Sequence, residues 1–286
     1  MKSEFARTQL RQCLGAGVST VVASVFDPLS ARIANRLGYR TGILAGSVAS
    51  LSVLGAPDLV LLTLSELVEQ ARRICRAEPG FPLIVDADHG YGNALNVRRT
   101  VADLEAAGVA GITIEDTALP SDGRSTGQSR LISMEAGMGK IAAALDARLD
   151  DETVIMARTS AVAFAGAQEA ARRCREYARL GADAIFLSGV GSREDIEVVT
   201  REVDVPIVLG GLPRGFEVPG DLPVRLVLGG HGPFRKAMLA LHAAMLEEAR
   251  QHGVGNHEWN VEGAEGLLKE LTLEEKYGIW RESYLR

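Results

Sequence analysis

The stretch Phe81 to Asn96, FPLIVDADHGYGNALN, sets two carboxylates beside a glycine turn. Asp86 and Asp88 follow the apolar run Pro82-Leu83-Ile84-Val85, and Gly90 and Gly92 then let the backbone turn sharply. An isolated Asp-X-Asp would read as a pair of turn caps. Here other apolar runs of the chain also end in reactive residues: Asp27, Ser47, Glu115 with Asp116, Arg158, Ser188 and His231, with Asp58 in the loop after the second run. Several carboxylates around one mouth push one another toward protonation unless a cation neutralises them. Hard oxygen donors without a Cys-His set favour Mg2+ over Zn2+, and Mn2+ fits the same donors. Arg158 cannot give up its charge and suits a substrate carboxylate or a developing enolate oxygen; the competing reading is an internal scaffold pair with Glu115 or an Asp. His231, flanked by Gly230 and Gly232, can serve acid–base chemistry or simply bond the backbone. His89, His242, His252 and His257 read as supporting or surface residues, His89 set apart by its place in the acid motif.

These residues need strands to position them. Short apolar runs are expected as strands at Thr20 to Phe26, Thr41 to Ala45, Pro82 to Val85, Gly111 to Ile114, Thr153 to Ala157, Ala184 to Leu187, Pro206 to Leu209 and Val224 to Leu228. Most are followed by helical spacing: Ser30–Leu37, Leu64–Arg76, a helix from Ala94 capped by Asn93, Met134–Ala147, Gln168–Leu180, Arg193–Val203 and Phe234–Gln251. Eight such runs predict a (β/α)8 TIM barrel, whose active site lies where the strands finish. A doubly wound open sheet is the runner-up, and the glycine-rich dinucleotide fingerprint it would carry is absent. Residues 1–17 read as an amphipathic helix lying ahead of the fold. No linker interrupts the alternation, so residues 1–286 read as a single barrel domain. Its helical tail, about 256–286, carries Trp259 and Trp280 and is expected to pack on the barrel or on a neighbouring subunit.

Composition narrows the partners. A chain of 286 residues, 47% hydrophobic and 24% charged, can bury a large core. A formal net charge of -6 argues against nucleic acid or an anionic membrane surface as partner. No stretch has the length and apolarity of a signal peptide or a membrane span. Cys13, Cys75 and Cys174 are odd in number and widely spaced, and they read as reduced structural thiols of a cytoplasmic protein rather than as a reactive cysteine.

The segments ASVFDPLSARIANRLGYRTGILAGSVAS, GAPDLVLLTLSELVEQARRI, PLIVDADHGYGNALNVRRTV, GVAGITIED and MARTSA closely resemble the isocitrate lyase/phosphoenolpyruvate mutase superfamily, from about Val21 to Ala161 and more loosely beyond. FDPLSARI, GSVASL, DADHGYGNALNV and the Gly-His of GGHGPF make the chain most similar to the oxaloacetate decarboxylase family. That resemblance implies a (β/α)8 barrel whose last helix is exchanged between subunits, assembled as a homotetramer (a dimer of dimers). It implies a Mg2+ site for an α-keto dicarboxylate, with Asp86 as direct ligand and Asp58, Asp88 and Glu115 holding the metal's waters. It also implies that Ser47 and nearby amides grip the substrate carboxylate, that Arg158 binds the oxygens of the enolate, and that His231 contacts the far end. The activity implied is decarboxylation of oxaloacetate to pyruvate and CO2.

Departures from the pattern separate the relatives. Lyases of the superfamily carry a Lys-x-Cys-Gly-His loop after the fourth strand, where this chain has TALPSDGRSTGQSRLI, and an acid after strand six, where it has Ser188. The Lys- and Asn-bearing loop of the phosphonopyruvate branch is missing too. The decarboxylase pattern places a Tyr after strand seven, where this chain reads Gly210-Gly211-Leu212-Pro213, which leaves the distal substrate contacts open. The alternatives are a lyase or phosphonopyruvate-type hydrolase for another α-keto or 2-hydroxy acid, and a barrel that binds dicarboxylates without turning them over.

Overall fold

The eight apolar runs become eight parallel strands that close a barrel in chain order: β1 Thr20–Ser24, β2 Gly42–Leu44, β3 Leu83–Asp86, β4 Gly111–Glu115, β5 Val154–Thr159, β6 Ala184–Ser188, β7 Ile207–Gly210 and β8 Val224–Leu228. Closure excludes the doubly wound sheet. The computed structural model describes residues 2–120, 130–255 and 262–285. The centre of the Thr117–Arg130 segment, His257 and Trp259 lie outside these described residues.

The helices are α1 Lys2–Gly15, α2 Pro28–Arg36, α3 Gly46–Ala49, α4 Leu64–Ala77, α5 Ala94–Ala106, α6 Met134–Ala147, α7 Ala161–Ala165, α8 Ala167–Leu180, α9 Arg193–Thr200, α10 Gly232–His252, α11 Gly263–Leu271 and α12 Glu274–Tyr284. A π-turn over Ser50–Leu54 extends α3. β7 passes into β8 through residues 211–223 without a helix. No helix among the described residues is long and apolar enough to cross a membrane.

Local sequence explains the starts. Asn93 caps α5, its Oδ1 accepting from the N–H groups of Leu95 and Asn96. Thr63 and Glu66 form a reciprocal capping box on α4. Asp27 does the same for α2: its Oδ1 accepts from the Ser30 N–H at 2.7 Å, with Pro28 opening the helix. The first strand therefore stops at Ser24, and Asp27, grouped by sequence with the mouth, is a helix cap instead.

Two apolar layers hold the barrel. Outside it, strand residues such as Val85, Ile112, Ile155 and Leu187 pack on helix residues such as Val101, Leu104, Ile141 and Cys174. Inside, Ile43, Ile84, Met156, Phe186 and Leu226 stack with Ala6, Leu10, Cys13 and Leu14 of α1. So α1 does not lie ahead of the fold. It closes the barrel interior at the end opposite the mouth, anchored by buried Arg7, which donates to Glu105 O at 3.0 Å and pairs with Asp150 at 2.5 Å. The three cysteines are free, and burial raises each thiol's pKa, that of Cys75 to about 12.

Candidate active site

Strand register assembles the mouth. Asp86 pairs across the sheet with Thr113, Glu115 with Arg158, and Arg158 with Phe186. Successive residues of a strand face opposite sides, so Thr113 and Glu115, two apart, point inward together. Thr113 Oγ1 donates to Asp86 Oδ1 at 2.7 Å. Arg158 Nη1 donates to Asp86 Oδ2, and Arg158 Nε lies 3.3 Å from Glu115 Oε2, an ion pair without hydrogen-bond alignment. The Arg158 guanidinium also sits 5.3 Å from the centre of the Phe186 ring. Arg158 thus pairs with acids, as the scaffold reading expects, and it does so inside the mouth.

Asp88 completes the inner group. Its φ of 47° is left-handed, an uncommon state for a residue other than glycine. Its carboxylate lies against Gly46, where a Cβ would stand 2.6 Å from Oδ2. A side chain there would force the Asp88 carboxylate to shift. Asp58 stands at the rim, on the wall of the cavity that opens beside Ser47 and His231. Burial and the neighbouring Asp86 raise the pKa of Asp58; burial with Asp86, Glu115 and Asp58 raises that of Asp88 well above the ordinary range. Burial raises Glu115 as well, with Arg158 opposing. Burial works against the charge of Arg158, but Asp86, Glu115 and Asp88 outweigh it and keep the guanidinium charged.

Four carboxylates against one guanidinium leave an excess of negative charge that a divalent cation would relieve. Among the described residues, no three His, Cys, Asp or Glu side chains come together as a ready metal cage. An all-oxygen, carboxylate-rich set of this kind fits a hard ion that keeps much of its water, as Mg2+ does, and does not fit a thiolate- or imidazole-bound one.

The opposite side of the mouth carries Ser47 and His231. Ser47 Oγ and His231 Nε2 are 3.0 Å apart, and His231 Nδ1 is 3.2 Å from Ser24 Oγ, a partner that sequence reading missed. Burial, then Arg235, lowers the pKa of His231, so its ring is neutral near pH 7. Ser188, at the end of β6, is half-buried, and Phe186 two residues earlier stacks on the arginine.

Asp116 does not join the mouth. Adjacent to Glu115 and facing the other way, its Oδ2 accepts from Thr159 Oγ1 at 3.1 Å, Arg173 Nη1 at 2.9 Å and the Tyr177 hydroxyl at 2.8 Å. It is a scaffold acid behind β4. His89 is buried, with its pKa lowered to about 4 by burial and by Lys140, whose Nζ donates to the His89 carbonyl at 2.6 Å. Lys140 was not singled out by sequence; the available signal was a lysine in the middle of a helix whose other charges, Glu135 and Asp146, lie near its ends.

A cavity of about 530 Å³ runs outward from Ser47, Asp58 and His231 beneath the tail helices, where Arg235, Lys269, Tyr277 and Arg281 line it. Within one chain, α11 and α12 thus roof the mouth.

Known proteins share this arrangement of chain and fold. The sequence model of the phosphoenolpyruvate phosphomutase family matches residues 10–249. An oxaloacetate decarboxylase of Bradyrhizobium diazoefficiens is 48% identical over 239 residues, covering 82% of each chain. One of Paraburkholderia xenovorans is 41% identical over 282 residues, 98% of this chain and 93% of that one. A crystal structure of phosphonopyruvate hydrolase with oxalate and Mg2+ superposes with a TM-score of 0.76 at 30% identity, covering 98% of this chain and 99% of that one.

Proposed function

The chain belongs to the phosphoenolpyruvate phosphomutase family, and we propose that it decarboxylates oxaloacetate to pyruvate and CO2 with a divalent ion, Mg2+ or Mn2+, at Asp86. The observation that carries this reading is the guanidinium of Arg158 set between Asp86 and Glu115 at the strand ends. The names of the relatives at 41% and 48% identity support the substrate. Oxalate with Mg2+ in the phosphonopyruvate hydrolase structure supports the ion.

In this reading Asp86 binds the ion directly, and Asp58, Asp88 and Glu115 hold its waters. When bound, the ion supplies Lewis-acid polarisation of the keto oxygen. Ser47, with the amides that open α3, holds the substrate's first carboxylate. The C3–C4 bond breaks and CO2 leaves; the bonding pair becomes the C2–C3 double bond while the carbonyl π pair moves onto the keto oxygen, giving the enolate. Arg158 is already charged and fixed beside that oxygen, so the stabilisation costs no reorganisation. A proton then returns to C3. Because His231 is neutral, it acts through hydrogen bonds, aligning Ser47 and the leaving end of the substrate.

The surroundings of α10 support the expected assembly. In this 21-residue helix only Phe234 is buried, and the helix as a whole packs chiefly on α11. Meanwhile Val21 of β1 and Leu29, Ile33 and Leu37 of α2 are exposed, Val21 by 56% and Leu37 by 73%. An eighth barrel helix belongs over that surface. The reading is therefore a helix exchanged with a second copy, two such dimers forming a tetramer of one-domain chains.

The test is metal-dependent CO2 and pyruvate release from oxaloacetate above the uncatalysed background. EDTA should abolish it, and Asp86→Ala or Arg158→Ala should remove it while the circular dichroism spectrum stays unchanged. Undiminished turnover in either variant refutes the assignment. Phosphate release from phosphonopyruvate, or oxalate binding with no substrate consumed, would replace it by one of the two alternatives.

A further inference from the structure

Resting on the decarboxylase reading, the geometry points to Arg235 as a specificity residue that meets the far carboxylate of a four-carbon keto diacid. At the keto end, Arg158 is held by Asp86 and Glu115 and, in the decarboxylase reading, serves the enolate oxygen rather than the far carboxylate. A second carboxylate, pointing out of the barrel, passes His231 and meets the cavity it shares with Arg235. His231 cannot answer it as a standing charge, because both ring nitrogens already face serine hydroxyls. The end of β7, Gly210 to Pro213, offers no polar side chain.

Arg235 is well placed to do so. It stands in the first turn of α10, its N–H donating to the His231 carbonyl at 3.2 Å. That turn is fixed by Phe234, 4% exposed and packed edge-on against Phe26 at 5.0 Å. Among the described residues the guanidinium has no ion-pair partner. The other charges of the cavity are Lys269, paired with Glu265 at 3.3 Å, then Arg281, Asp58 and Glu274. Arg281 comes from the tail and so depends on how subunits assemble. Arg235 sits beside its own barrel's anchor and does not.

The chemistry sets what Arg235 can contribute. The far carboxylate leaves as neutral CO2, so its attraction to a guanidinium is strongest in the bound substrate and fades as the C3–C4 bond breaks. Such an interaction captures substrate without lowering the barrier. Its loss raises KM and leaves kcat unchanged or higher.

Kinetics of the full-length protein with Mg2+ test this. Arg235→Gln should raise KM for oxaloacetate about tenfold, as loss of a charge-assisted hydrogen bond does, with kcat within about twofold of the parent. Inhibition by oxalate, which has no far carboxylate, should not change. Arg235→Lys should recover most of the affinity. An unaltered KM overturns the proposal, and so does an oxalate constant that rises in parallel with it. If the parent protein releases no CO2, the decarboxylase reading fails by itself. Calorimetry with malate and with oxalate then judges Arg235 separately: weaker malate binding alone upholds it, and equal malate binding overturns it.

Discussion

Arg173→Met is the sharpest test of the scaffold behind the mouth. The Arg173 side chain is 8% exposed and that of Asp116 2%. Its three donor nitrogens reach Asp116 at 2.9 Å, the Ile132 carbonyl at 3.0 Å and Glu169 at 2.8 Å. Glu169 keeps Arg172 at 2.9 Å, so its loss is minor. Asp116, however, would be left buried with only the hydroxyls of Thr159 and Tyr177 as partners, and breaking a buried pair in this way costs about 3–5 kcal/mol. Asp116→Asn leaves the guanidinium unpaired and should cost a similar amount. The double variant carries neither charge, so its cost should fall short of the sum by about 2 kcal/mol or more. Denaturant unfolding at one fixed protein concentration measures all three. Activity should fall too. The Asp116 N–H donates to the Arg158 carbonyl, and Ile132 and Ala118 close the base of the 117–131 segment through 2.9 and 2.7 Å bonds to Asp116 and Arg130. Slack there shifts Arg158, and a displacement near 1 Å costs about a hundredfold in rate. A single substitution costing under about 1 kcal/mol, or additive costs, would refute the reasoning.

Gly46→Ala would drive a Cβ to 2.6 Å from Asp88 Oδ2. It should weaken Mg2+ activation about ten- to hundredfold, as loss of a group supporting a metal does, and a Mg2+ titration of activity with no shift would contradict the placement of Asp88. Leu241→Asp with Met245→Asp puts charge on exposed apolar positions of α10, 53% and 61% exposed. Sedimentation velocity should then show smaller species than the parent; an unchanged assembly argues against the exchanged helix.

Much of this protein is written in one dimension. Strand order, the Asn93 cap and the limits of α6 follow from hydrophobic periodicity and capping chemistry, both of which act within a few residues. The inner acids were legible for the same reason, since a strand's end is local. Asp27 was misplaced although Asp-Pro-x-Ser is itself a capping signal, because strand and cap signals overlap over Phe26 to Pro28. Asp116 was misplaced because proximity in sequence hides direction: one step along a strand turns a side chain from the mouth to the helices. Partners more than a hundred residues apart left no local trace. Helix α1 filling the barrel's lower end, Ser24 on His231, and Arg235 beneath the tail required closure of the barrel, which alone brings the first strand against the eighth.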